Sequence, residues 1–166
     1  TRPAGAEGMC YGRTDLDLAP GFAAEAARLA DALPVVRRIV TSPLSRCARL
    51  AAALAVARGL PLQTDPRLAE MDFGTWEGRR WAEIPRPELD AWAADLTGAR
   101  PHGGETVAEL AARAASALAE AAAGPVPALV VTHAGVIKAA LAARQGPAGW
   151  QADIAFGGWL VLEGAG

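Results

Sequence analysis

Apolar positions at Phe22, Ala26, Leu29 and Leu33 recur at the 3.6-residue spacing of one buried helix face, and Pro34 marks its stop. The period then changes. Arg38 to Thr41 reads as a short strand, Ser42 and Pro43 as a turn, and Cys47, Leu50, Ala51 and Leu54 as the inner face of a second helix ending at Gly59. The same order returns late in the chain: Ala128 to Thr132 has the run of a buried strand, His133 to Gly135 make a turn, and Val136 to Arg144 continue as a helix. Ahead of it, Thr106 and Glu109 form a T-x-x-E capping box for a helix with Val107, Leu110, Ala114, Leu118 and Ala121 on one face, closed by Gly124 and Pro125. Residues 67 to 101, with Trp76, Trp81, Trp92 and several Pro and Gly, break this pattern and read as a loop-rich excursion with short helices. Phe156 to Leu162 has the composition of a last strand. Strands alternating with helices predict an α/β fold with a largely parallel sheet, and no linker or repeat divides residues 1–166 into more than one domain.

Composition narrows the core. Of 166 residues 41 are Ala, so Leu and Val spaced along Ala-rich helices must supply most of the packing. The apolar run from Leu50 to Ala57 is bounded by Arg49 and Arg58 and falls short of the roughly 18 to 20 residues that span a bilayer, so a soluble chain is expected. Sixteen cations against eighteen acids leave a net charge of −2, which gives no general attraction to nucleic acid or to an anionic membrane. An anionic partner would need a local cluster. Cys10 and Cys47 are read as free thiols in a reducing, cytoplasmic compartment, because a domain of this size needs no disulfide.

Ligands of open parallel sheets bind beyond the carboxyl ends of the strands, which singles out Thr41, Ser42, Ser45, Arg46, Thr132, His133 and Gly135. A cation in the first turn of a helix opposes the helix dipole unless an anion shares the site, so Arg46 is either an anion ligand or a surface residue paired with an acid. His133, closing an apolar strand before a glycine, is open to a structural or a catalytic reading. Glu70, in a stretch with Phe73, Gly74 and Trp76, is a candidate general acid, with Asp72 and Glu77 as rivals that spacing does not separate. His102 reads as a surface loop residue among Pro and Gly, and Glu105 as an acid suited to a helix start. No P-loop, dinucleotide fingerprint or metal-ligand spacing is present, so no metal and no cofactor are expected.

Taken in order, Cys10-Tyr11-Gly12-Arg13-Thr14-Asp15-Leu16, Thr41-Ser42-Pro43-Leu44-Ser45-Arg46-Cys47, Leu68-Ala69-Glu70-Met71-Asp72-Phe73-Gly74-Thr75-Trp76-Glu77-Gly78, Gly103-Gly104-Glu105-Thr106 and Val131-Thr132-His133-Ala134-Gly135-Val136 resemble the histidine phosphatase superfamily. The resemblance is strongest to its small α-ribazole phosphatase-like members. It implies a three-layer α/β sandwich with a mostly parallel central sheet flanked by helices, and hydrolysis of a small phosphorylated substrate such as α-ribazole phosphate to release phosphate. Carried over by motif, Arg46 binds phosphoryl oxygens, Glu70 protonates the leaving oxygen, His133 stabilises the transferred group, and Tyr11, Gly12, Arg13 and Gly135 lie near the substrate. The family nucleophile is a histidine in an Arg-His pair that closes the first strand. The chain starts at Thr1, just past the place where that pair falls, so the nucleophile and its strand are expected upstream of Thr1. Only 62 residues separate Glu70 from His133, which favours hydrolysis over phosphoglycerate mutase activity. A phospho-ligand binding module without a nucleophile is the other alternative.

Overall fold

The computed structural model describes residues 1–163. Helix α1 (Phe22–Ala32) leads into strand β1 (Arg38–Thr41), helix α2 (Ser45–Arg58) and strand β2 (Leu62–Thr64). Three short 3-10 turns and helix α3 (Arg86–Ala94) make up the excursion, and helix α4 (Val107–Ala123), strand β3 (Ala128–Val131) and helix α5 (Ala134–Gln145) complete the order before a last 3-10 segment over Gly146–Gln151.

The three strands are parallel in the order β2-β1-β3, with Thr41 opposite Thr64 on one side and Val131 on the other. Side chains alternate across a strand, and this sorts the layers. Ile39, Leu129 and Val131 pack with Leu29, Cys47, Leu50 and Leu54 of α1 and α2. Val40 and Val130 pack on the opposite face with Leu110, Ala114 and Ala117 of α4 and Val136 and Ala139 of α5. Two helical layers thus enclose the sheet; the parallel α/β alternation is the one the spacing predicts, and the three layers are what the resemblance implies. At the start of α4 the Thr106 hydroxyl accepts the Glu109 N–H at 3.1 Å while the Glu109 carboxylate accepts the Thr106 N–H at 2.8 Å, which is the predicted capping box.

Two differences stand out. Strand β2 escapes sequence reading because Leu62, Gln63 and Thr64 are all exposed and carry no alternation. The expected strand over Phe156 to Leu162 does not form among the described residues. Its backbone meets no strand to pair with, and Phe156, Trp159 and Val161 are half or more exposed.

Candidate functional site

Strands β1 and β3 end side by side, so the residues that follow them emerge together. Ser42 N–H donates to the Val131 carbonyl at 3.0 Å, which fixes the two exits against each other. Arg46 then rises from the second position of α2 and His133 from the residue before α5. Arg46 Nε donates to His133 Nδ1 at 3.3 Å, and His133 Nε2 lies 2.7 Å from Ser42 Oγ. A ring nitrogen that accepts from an arginine carries no proton, so the His133 proton sits on Nε2, and this N–H donates to the Ser42 hydroxyl oxygen. Burial pushes the His133 pKa down to about 3, helped by the charges of Arg46 and Arg113, and the ring is neutral at pH 7.

Arg46 is not the acid-paired surface residue that its position also allowed. It is 4% exposed, and two further N–H groups go to the carbonyls of Gly12 at 2.6 Å and Thr14 at 3.0 Å. Of the five N–H donors of a guanidinium, two remain. The Tyr11 ring lies 5.3 Å from the guanidinium carbon. A side chain on Gly12 would overlap the Met71 carbonyl oxygen, so only glycine lets this turn lie against the Glu70 loop. Arg13 is exposed and joins the group through its backbone, whose N–H donates to Glu77 at 2.8 Å.

Glu70 follows a 3-10 turn, Pro66–Leu68, that leads away from β2. Its Oε2 accepts the Gly135 N–H at 3.1 Å and its Oε1 accepts the Met71 N–H at 2.9 Å. A Cβ at position 135 would collide with this carboxylate, so the first turn of α5 approaches Glu70 because residue 135 has none. Burial raises the Glu70 pKa, against two amides and the charges of Arg46 and Arg113 that lower it. A carboxyl whose proton affinity is raised in a polar pocket has the properties of a general acid.

The rivals have other duties. Glu77 accepts from the N–H groups of Arg13, Thr14 and Phe73 and from the Thr14 hydroxyl, and these bonds outweigh burial to hold its carboxyl below the usual range. Asp72 closes a local turn onto Gly74 N–H at 2.8 Å. His102 corrects the sequence reading, because it is fully buried rather than a surface residue. Trp76, Phe73 and Trp92 surround it with ring centroids at 4.9, 5.7 and 6.4 Å, contacts from distant stretches that the Pro and Gly beside it do not announce.

Several contributors carry no local signal. Ser42 is visible only as the residue after β1. Asp15 accepts the Ser45 N–H at 2.9 Å and so supplies the acid at the start of α2. Cys47 Sγ lies 3.5 Å from His133 Nε2; like Cys10 it is a free, buried thiol whose pKa is pushed up to about 12 by burial. Thr1 Oγ1 donates to the Arg46 carbonyl at 2.8 Å. Among the described residues, no three His, Cys, Asp or Glu side chains gather as metal ligands, and no helix is long and apolar enough to cross a membrane.

With this geometry in hand, the profile of the histidine phosphatase superfamily (branch 1) matches residues 3–161, and the chain belongs to that family. It is 35% identical to the glucosyl-3-phosphoglycerate phosphatase of Mycobacterium tuberculosis over 144 residues, covering 76% of this chain and 64% of the relative. A candidate phosphoglycerate mutase of Yersinia enterocolitica is 38% identical over 105 residues, 59% of this chain and 48% of that protein. The chain therefore spans between about half and two thirds of the length of these curated relatives. Among solved structures, a candidate α-ribazole-5′-P phosphatase from Escherichia coli superposes with a TM-score of 0.73 at 26% identity, covering 87% of this chain and 76% of that one.

Proposed function

We propose that this chain carries most of a phosphomonoester hydrolase that works through a phosphohistidine. The observation that supports it best is the union at two strand ends of a buried arginine with two spare N–H groups, a neutral histidine and a recessed carboxyl of raised pKa. The two spare N–H groups of Arg46 stabilise the charge on the phosphoryl oxygens, His133 adds its Nε2–H by turning it from Ser42 to the bound group, and Glu70 gives its proton to the leaving oxygen. Glu70 then takes a proton from the water that cleaves the phosphohistidine. Tyr11, Gly12, Arg13 and Gly135 border the substrate.

The attacking imidazole belongs to neither histidine of the chain. Both nitrogens of His133 are engaged by Arg46 and Ser42, and His102 lies inside the aromatic cluster. Thr1 Oγ1 donates to the Arg46 backbone carbonyl, so a histidine joined to Thr1 on that side would stand beside the start of α2, and a short strand leading to it would find one side of β3 unpaired among the described residues. The substrate is a small phosphorylated metabolite. α-Ribazole phosphate and glucosyl-3-phosphoglycerate, the compounds after which the relatives are named, are the first two to try. Buried free thiols suit a cytoplasmic setting, and the three named side chains require no metal.

The test is to incubate the full-length protein with these esters and with phosphoglycerate, and to measure both free phosphate and isomerised product. Phosphate release from an ester supports the hydrolase. Isomerisation without release would favour the mutase, and tight binding without either would favour a phospho-ligand binding module.

A further inference from the structure

Carbonyls 67 to 70 lie outside any strand, and backbone oxygens at such a depth need partners. All four find side chains. Arg113 of α4 donates to the carbonyls of Arg67 and Ala69, each at 2.6 Å, and of Glu70 at 3.0 Å. Thr132 Oγ1 donates to the carbonyl of Leu68 at 2.8 Å and ties the same loop to the residue before His133. The Arg113 guanidinium is itself fixed by a two-pronged pair with Glu105, Nε to Oε1 at 2.6 Å and a terminal nitrogen to Oε2 at 2.8 Å, with the two side chains only 16% and 11% exposed. Glu105 N–H donates to the Asp72 carbonyl at 2.9 Å, and Asp72 N–H donates to Glu105 Oε2 at 3.4 Å. The Arg113–Glu105 pair therefore grips the chain on both sides of Glu70.

We propose that Arg113, oriented by Glu105, is a positioning residue that aims the Glu70 carboxyl at the leaving oxygen. The proposal rests on the hydrolase reading above. Arg113 touches no reacting atom and acts through the backbone that carries Glu70. A planar fork suits this task because it presents donors in several fixed directions, whereas a lysine offers the same charge from one point. Arg113→Lys thus separates aim from charge.

In the full-length enzyme, Arg113→Lys should slow phosphorylation by an alkyl phosphate about 10- to 100-fold, the scale of a misplacement near 1 Å, with KM unchanged. An acidic phenol departs without a proton, so its ester should slow by less than about 3-fold. Equal slowing of both esters, or an unchanged alkyl rate, would overturn the proposal. Glu105→Gln keeps one acceptor oxygen and guards against a misfolded Arg113 variant; it should give the same split between esters at smaller amplitude, and equal losses would count against the pair. A second readout needs no turnover. Gly135 N–H donates to Glu70 Oε2, so in Arg113→Lys its proton resonance should move upfield and its exchange should quicken by about 10-fold, as expected for a local bond that is lost. An unmoved Gly135 resonance would contradict the proposal. Should the wild-type enzyme hydrolyse neither ester, the hydrolase reading falls, and the Gly135 amide alone decides whether Arg113 positions Glu70.

Discussion

The ends of β1 and β3 and the aromatic cluster between Phe73 and His102 are both buried, yet they are held in opposite ways. At the strand ends, Ser42, Arg46 and His133 are each hydrogen-bonded to a named partner. In the cluster, Trp76 Nε1 donates to Glu88 and His102 Nδ1 accepts from Gly104 N–H, but Trp92 Nε1 and His102 Nε2 have no partner, and Phe73, Trp76, Trp81, Trp92 and His102 are mainly fitted edge to face. Hydrogen bonds fix direction as well as distance, which suits a site that must hold a phosphoryl group in line. Ring packing fixes volume, which suits a region that only has to stay folded. The contrast predicts that single polar changes at the strand ends abolish most activity, whereas in the cluster they cost stability, and only where a ring has a hydrogen-bond partner.

Arg46→Ala should have the largest effect. It removes charge from the transferred group and strips partners from Gly12, Thr14 and His133, so hydrolysis should fall by about 1,000-fold, to a similar degree for alkyl and aryl esters. Steady-state and burst rates on both esters check this, and a loss confined to one ester would assign Arg46 to the leaving group. Glu70→Gln should come next, slowing the alkyl ester roughly 100-fold or more and the ester of an acidic phenol much less. Single-turnover measurement is required, because in the proposed mechanism Glu70 also serves the second step. Equal losses would return Asp72 and Glu77 to consideration, despite their structural bonds.

Acid should unpick the strand ends through His133. The folded chain protonates this ring only at about pH 3, while an unfolded chain does so near the ordinary 6.5. The stability it supplies is whole above that ordinary value. It is lost on acidification at about 1.4 kcal/mol per pH unit, down to the folded pKa. His102 shifts in the same direction, whereas Glu70, raised rather than lowered, works in the opposite sense. Urea midpoints between pH 7 and 5 should therefore decline for the wild type and decline less steeply for His133→Gln; parallel slopes would show that this ring is not held neutral.

The smallest effects on activity belong to the cluster, where the cost falls on stability. Trp76 Nε1 donates to Glu88 at 2.6 Å, so Trp76→Phe loses a charge-assisted bond and should cost about 2 to 3 kcal/mol. Trp92→Phe deletes a donor that has no partner and should cost less than about 1 kcal/mol. Equal costs by chemical denaturation would mean that ring volume alone holds the cluster.

What could be read in the sequence follows the range of the interactions. Helix faces and the exits of β1 and β3 are local patterns, so Arg46 and His133 stand out from their positions alone. The choice of Glu70 over Asp72 and Glu77 needs the family resemblance, because all three lie in one loop with local amide partners and are told apart by distant ones, Gly135 for Glu70 and Arg13 and Thr14 for Glu77. The burial of His102 is hidden for the same reason: its neighbours in sequence are loop formers, and its neighbours in space are Phe73, Trp76 and Trp92. Arg113 and Glu105 stand eight residues apart, outside the three- and four-residue spacings of a helix pair, so their bond has no local signature. Phe156 to Leu162 has strand composition, but composition supplies no partner strand.

The central claim is that phosphate passes through a histidine that lies immediately before Thr1. The most direct measurement is to quench the full-length enzyme in alkali during turnover and map the phosphorylated residue by mass spectrometry. The account predicts phosphohistidine on the peptide preceding Thr1, and no uptake by the 1–166 chain alone. Phosphate found on His133, or turnover with no phosphohistidine at all, would contradict it.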